Sequence, residues 1–142
     1  MIIKNALVYT EDHKFEKKDV RIEDERIAEI AENGQITATD EDVIDGEGMY
    51  AIPGLVDIHF HGCKGADMCD GTKEALDVIT AYEASIGVTS VCPATMTIQR
   101  DELLSVMKNA GDYTYHGGAH LVGINMEGPF ISPSKKGAQA AE

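Results

Sequence analysis

The residues best suited to chemistry stand in two short blocks. The first runs from Gly54 to Gly62 as GLVDIHFHG, an apolar stretch carrying two histidines one residue apart. Side chains i and i+2 of a strand share a face, so His59 and His61 project together while Phe60 points away, and one metal ion could take a nitrogen from each. A bare H-x-H is a weak signal, since two histidines in a strand are more often structural. Imidazoles that end an otherwise apolar parallel strand, however, are costly to bury unless bonded or ligated. Gly62 lets the chain turn away from such a site. Asp57 alternates with both histidines and reads as a deeper acceptor that orients one of them. The second block, Gly123 to Phe130 (GINMEGPF), sets Glu127 at the tip of a later strand. Flanked by apolar residues, Gly and Pro, its carboxylate needs a partner such as a metal; the alternative is a capping or turn carboxylate.

Other candidates carry less. Cys63 and Cys69 flank the loop after the histidines, but their spacing is looser than that of structural zinc sites. Cys92 reads as a small buried residue of its strand. His13, His116 and His120 fall in loops or at a strand start, where solvation is the ordinary state. Lys135 and Lys136 form a loop pair that faces solvent unless it attracts a phosphate.

The elements that must position these residues divide the chain in two. Residues 1–52 show short strand-like runs (Ile2-Ile3, Ala6 to Tyr9, Val20 to Ile22, Arg26 to Ile30, Val43-Ile44) separated by turn-formers, and read as a small β domain, the N-terminal part of a β-sandwich. Residues 53–142 change period. A buried strand from Gly54 to Phe60 precedes a helix capped by Thr72, with Ala75, Ile79 and Tyr82 at helical spacing and Gly87 at its end. A β-branched strand from Val88 to Cys92, a helix from Asp101 to Ala110 bearing Leu103 and Met107, and a strand from Leu121 to Met126 follow. The order β-α-β-α-β favours parallel strands with right-handed crossovers, as in a doubly wound sheet or the start of a (β/α)8 barrel. Ligands of such folds bind beyond the carboxyl ends of the strands, where the histidines stand.

Bulk properties exclude some partners. With 25 acids against 12 bases the formal net charge is −13, which argues against nucleic acid or an anionic membrane surface. Three cysteines in 142 residues give no disulfide framework, and no apolar run approaches the ~20 residues of a membrane span. The N-terminus lacks the apolar core of a signal peptide, so a cytoplasmic location is expected.

Three blocks, PGLVDIHFHGCKGADMCDGT, GVTSVCPATMT and INMEGPFISPSKKGAQ, together resemble the N-acetylglucosamine-6-phosphate deacetylase family of the amidohydrolase superfamily, in the family's order and spacing. The resemblance covers essentially the whole chain and implies an α/β fold: the first three strands of a (β/α)8 metal-dependent hydrolase barrel after a small β-sandwich unit. It assigns His59, His61 and Glu127 as metal ligands, for one or two divalent ions (Zn or Fe). Some members lack both histidines and hold one metal, so their presence favours two. Ala138 and Gln139 match the segment that contacts the sugar, although some relatives carry histidine where this chain has Gln139.

The activity implied is metal-assisted hydrolysis of the acetamide of N-acetylglucosamine 6-phosphate to glucosamine 6-phosphate and acetate. The family's remaining metal histidines, phosphate-binding residues and catalytic aspartate lie on later strands, beyond residue 142. The sequence is therefore expected to be an N-terminal portion, inactive alone, with no catalytic proton shuttle of its own. A homo-oligomer, dimer or tetramer, is expected of the full-length protein. The rival readings are a non-catalytic α/β protein that binds metal or sugar phosphate, and another amidohydrolase, such as a dihydroorotase-like one.

Overall fold

A computed structural model describes residues 1–140; the last two positions of the 53–142 segment lie outside the described residues. The chain forms two compact units, the first Met1–Pro53 and the second beginning at Gly54.

The first unit is one five-stranded sheet. β1 (Ile2–Tyr9) pairs antiparallel with β2 (Phe15–Glu23), and β2 with β3 (Arg26–Glu32). β4 (Val43–Asp45) and β5 (Tyr50–Ala51) run parallel to the first and second halves of β1. The break expected at Lys4 and Asn5 is instead a bulge in a continuous strand: the register shifts between Ile3 and Ala6, and Asn5 takes φ 63°. Asp19 of β2 explains how the bulge is held. Its carboxylate is 0% exposed. It accepts from the backbone N–H of Asn5 (3.1 Å), the Asn33 amide (3.2 Å) and the Gly34 N–H (2.9 Å). Burial raises its pKa, but these donors outweigh burial and hold it below the ordinary carboxylate value. One face of the sheet packs Ala6, Val8 and Val20 against Ile3, Ile22 and Ala51.

The second unit carries a three-stranded parallel sheet in the order β10-β9-β6, with a helix in each crossover. In chain order it consists of β6 (Leu55–Asp57), a hairpin of β7 (Gly62–Cys63) and β8 (Ala66–Asp67), α1 (Lys73–Ser85), β9 (Val88–Val91), α2 (Arg100–Asp112) and β10 (His120–Leu121). This is the open start of a (β/α)8 barrel: three strands with two free edges, the first and third outermost and the second between them.

The local signals act as the residue types dictate. Thr72 caps α1, its hydroxyl accepting from Ala75 N–H at 3.2 Å, and Gly87 adopts φ 91° just past the helix end. The buried stripe of α1 is Ala75, Leu76, Ile79, Thr80 and Glu83. Tyr82, expected on that stripe, lies beside it with the Lys64 ammonium 5.0 Å over its ring. On α2 the buried residues are Leu103, Val106 and Ala110, with Met107 only half-buried. The two helices meet through Met68, Leu76, Val106 and Ala110, while Val88, Val91 and Ala119 pack with Phe60 and Leu121.

The first barrel strand differs from the expected buried one. Regular pairing spans only Leu55–Asp57, and Leu55, Val56 and Ile58 are 51%, 60% and 66% exposed. β6 is an edge strand, so its apolar residues, of a kind suited to a two-sided parallel sheet, meet no cover on their outer side among the described residues. The third strand is likewise short, ending its regular pairing at Leu121, and a single parallel bridge between Ala94 and Asn125 resumes it.

Candidate metal centre

Beyond the regular strands the backbone ladder continues toward the carboxyl tips and brings the two chemical blocks together. Cys92 N–H donates to Asp57 C=O (2.8 Å) and Ala94 N–H to Phe60 C=O (2.6 Å), which aligns the histidine segment with the end of β9. On the other side Asn125 N–H donates to Pro93 C=O (2.9 Å) and Thr95 N–H to Asn125 C=O (3.0 Å). The segment bearing Glu127 is thereby laid beside the same central strand.

His59, His61 and Glu127 converge at this end, with one ligand atom from each within 4.8 Å of the others. His59 Nε2 is 3.2 Å and His61 Nε2 3.9 Å from Glu127 Oε1. The two rings stand edge to face with centroids 5.6 Å apart. The i, i+2 spacing thus achieves the shared face expected of it, although both residues lie past the end of β6. Phe60, between them, points into the apolar cluster.

Glu127 and His59 are each held by neighbours. The Glu127 N–H donates to Thr95 Oγ1 (3.2 Å), a residue with no exposed surface. Glu127 Oε2 accepts from Gln139 Nε2 (2.5 Å), and Gln139 Oε1 accepts from Thr97 N–H (3.1 Å). Asn125 Nδ2 meets both the Ile58 carbonyl (2.9 Å) and His59 Nδ1 (3.0 Å). Asp57 does not reach an imidazole as its alternation suggested; its carboxylate accepts from the backbone N–H of His59 (3.0 Å), turning the chain where the strand ends.

The donor set fits a divalent cation of the zinc or iron kind: two imidazoles and a carboxylate converging on one point. His61 Nδ1 is buried without a hydrogen-bond partner among the described residues, so no bond there fixes which of its nitrogens carries the hydrogen. His59 and His61 side chains remain 54% and 35% exposed, leaving the point of convergence open to solvent and ligand.

The other candidates fall elsewhere. Gln139 reaches the centre, half-buried, while Ala138 beside it is exposed. Cys63 and Cys69 join no metal-ligating group among the described residues. Cys69 Sγ accepts from Met96 N–H (3.2 Å), and burial raises the pKa of both thiols. His120 stacks on Tyr115, centroids 4.1 Å apart, at the start of β10 rather than at the tips, and His13 Nδ1 bonds the Tyr9 hydroxyl (2.9 Å). Asn125 and Thr95 were not singled out in the sequence. Asn125 had a usable signal, standing two residues before Glu127 on the same alternation.

No protein-family model matches the chain. It is 32% identical to an N-acetylglucosamine-6-phosphate deacetylase of Lysinibacillus sphaericus, over 98% of this chain and 36% of that protein. It is 29% identical to the one of Bacillus subtilis, over 100% and 37%. An N-acetylgalactosamine-6-phosphate deacetylase of Escherichia coli O157:H7 is also 29% identical, over 99% and 36%. In fold it is similar to the crystal structure of N-acetylglucosamine-6-phosphate deacetylase from Pasteurella multocida, at TM-score 0.86 and 23% identity, over 99% of this chain and 37% of that one. The chain thus spans little more than a third of the length of the relatives it matches.

A parallel α/β sheet with two histidines beyond its first strand and a glutamate beyond its third places the chain in the amidohydrolase superfamily. Within it, the chain belongs to the family of the N-acetylglucosamine-6-phosphate deacetylases.

Proposed function

We propose that the chain supplies part of the active site of an N-acetylglucosamine-6-phosphate deacetylase, which hydrolyses the acetamide to glucosamine 6-phosphate and acetate. The observation that carries this reading is the convergence of His59, His61 and Glu127 within 4.8 Å on a chain that matches curated relatives of that name over little more than a third of their length. These residues would hold one or two divalent ions, Zn or Fe. A bound cation supplies Lewis-acid polarisation of the amide carbonyl and lowers the pKa of water toward ~7. His59 and His61 would give nitrogens and Glu127 a carboxylate oxygen, while Gln139 restrains the carboxylate and the Thr95 hydroxyl accepts from the Glu127 backbone N–H. Proton transfer to the leaving amine would fall to a further acid–base group, an aspartate on a later strand in this reading. Ala138 and Gln139 are proposed as contacts to the sugar.

The experiment is acetate release from N-acetylglucosamine 6-phosphate by the intact protein supplied with zinc or iron(II). His59→Ala and Glu127→Ala should each abolish it. Binding of the sugar phosphate without acetate release under several divalent metals would reject the reading and favour a non-catalytic binding protein. A second reading rests on the E. coli relative, whose named substrate differs in the sugar. Running N-acetylgalactosamine 6-phosphate in parallel decides between them by the ratio of kcat/KM.

A further inference from the structure

Asn33 and Gly34 form the turn that leaves β3, and theirs is the one asparagine–glycine pair in the sequence. Both are exposed, and Gly34 takes φ 84° with nothing within 4 Å of the position a Cβ would fill. The backbone here requires glycine, and glycine leaves its own nitrogen without a side chain to shield it. Such a nitrogen can attack the side-chain amide of the asparagine before it. The bond from Gly34 N to Asn33 Cγ forms, the Cγ–Nδ2 bond breaks, and ammonia leaves with the proton given up by the nitrogen. Water then opens the five-membered imide, giving aspartate if one carbonyl is attacked and isoaspartate if the other is.

The fold engages both reacting groups before any of this can begin. Gly34 N–H, whose hydrogen must be lost for attack, donates to Asp19 Oδ2 at 2.9 Å. The leaving group, Asn33 Nδ2, donates to Asn5 Oδ1 at 2.9 Å and to Asp19 Oδ1 at 3.2 Å. Asp19 therefore holds the nucleophile with one oxygen and the leaving group with the other. Its negative charge also opposes removal of the Gly34 proton, since a like charge disfavours the anion that would form.

We infer that Asn33–Gly34 is a deamidation site which the Asp19 carboxylate keeps closed, and that its conversion irreversibly opens the bulge of β1. After conversion a carboxylate stands where Asn33 gave hydrogens to Asn5 and Asp19. Two donated bonds are lost, and a second negative charge faces a carboxylate that is itself fully buried. The damage does not stay at the turn. Asp19 Oδ1 also accepts from the Asn5 N–H at 3.1 Å, the bond that holds the bulge residue at φ 63°.

The test incubates the intact protein at neutral pH and follows the peptide containing Asn33 by mass spectrometry. Exchange of the amide for an acid raises its mass, and isoaspartate elutes apart from aspartate. Conversion should be at least about 10-fold slower in the folded protein than in urea, because the site must open before it reacts. Asp19→Asn keeps the shape and removes the charge, and should speed conversion in the folded protein about 10-fold. Equal rates folded and in urea overturn the inference, as does an Asp19→Asn rate equal to that of the unaltered protein. The consequence for β1 is read on Asn33→Asp, which carries the product from the start. Its Asn5 N–H should exchange with deuterium about 10-fold faster than in the unaltered protein. Exchange as slow as in the unaltered protein overturns the opening of the bulge. If circular dichroism shows that Asp19→Asn does not fold, the comparison of folded and urea-treated protein and the Asn33→Asp exchange decide the matter.

Discussion

Gln139 Nε2 lies 2.5 Å from Glu127 Oε2, so one amide hydrogen occupies one oxygen of the carboxylate while the other oxygen, Oε1, faces His59. The two oxygens of Glu127 therefore have separate partners. The amide is itself restrained through Thr97 N–H at 3.1 Å. Gln139→Leu should free the carboxylate to rotate and weaken zinc binding about 10-fold, read by chelator competition. Gln139→Glu should weaken it further at neutral pH by setting a second negative charge against Oε2. Unchanged affinity in both would confine Gln139 to contact with the sugar.

Gly62 is required by close approach, not by an unusual φ. A Cβ there would collide with the Ala66 carbonyl oxygen and lie 2.7 Å from Asp67 Cα, across the β7–β8 hairpin. The clash is with backbone and cannot be relieved by a rotamer. Because the His61 carbonyl accepts from Met68 N–H (2.8 Å) at the base of the same hairpin, His61 would move with it. Gly62→Ala should lower stability by about 1–3 kcal/mol in urea unfolding and weaken metal binding together; loss of neither would show that the hairpin opens at no cost.

Asp19 supports the first unit in a pH-dependent way. Its pKa in the folded chain lies below the ordinary value, so its contribution is fully present above the unfolded-state value near ~3.9 and is lost as pH falls through the folded one. Asp19→Ala strands three donors around a buried position and should cost on the order of 3 kcal/mol at neutral pH. The difference from the unaltered protein should shrink below about pH 4 in thermal unfolding. A difference independent of pH would mean that shape, not charge, is what Asp19 provides.

Glu83 behaves in the opposite sense. Burial raises its pKa, the neighbouring Asp57 charge adds to this, and its Oε2 has no hydrogen-bond partner among the described residues. A raised carboxyl pKa penalises the folded state above the folded value and not below the unfolded one. Glu83→Gln should therefore stabilise the second unit by about 1 kcal/mol at neutral pH, a gain that disappears in acid. Destabilisation at pH 7 would show that the ionised carboxylate has a partner that the amide cannot replace.

Much of the site was legible because two signals coincided at its residues: strand alternation and polarity out of place. His59, His61 and Glu127 each interrupt an apolar run at a strand tip. Asn125 obeyed the same alternation, but an amide is common in loops and attracted no weight until its two partners, Ile58 and His59, were seen in space. Asp19 was invisible for another reason. It sits between Lys18 and Val20 in a strand rich in charge, and only pairing with a bulge some 14 residues away gives its carboxylate a task. The stripe of α1 was misjudged at Tyr82 because periodicity favours the larger apolar residue, whereas the geometry of the crossover turned Glu83 inward. The burial expected of β6 followed from its apolar composition, and an edge strand does not provide it.

The contact between His59 and Asn125 joins positions 66 residues apart, spanning both helices and the central strand of the second unit. The loop-closure entropy of that span is met only when β6, β9 and the Asn125 segment have all docked, so the cluster has no local existence. Occupancy of the cluster is then linked to the global unfolding of the unit rather than to the fraying of one loop. A ligand present at ~100 times its Kd would stabilise the folded unit by about 2.7 kcal/mol and raise the midpoint of the whole transition accordingly. Melting of the unit is in this sense a direct titration of its own centre.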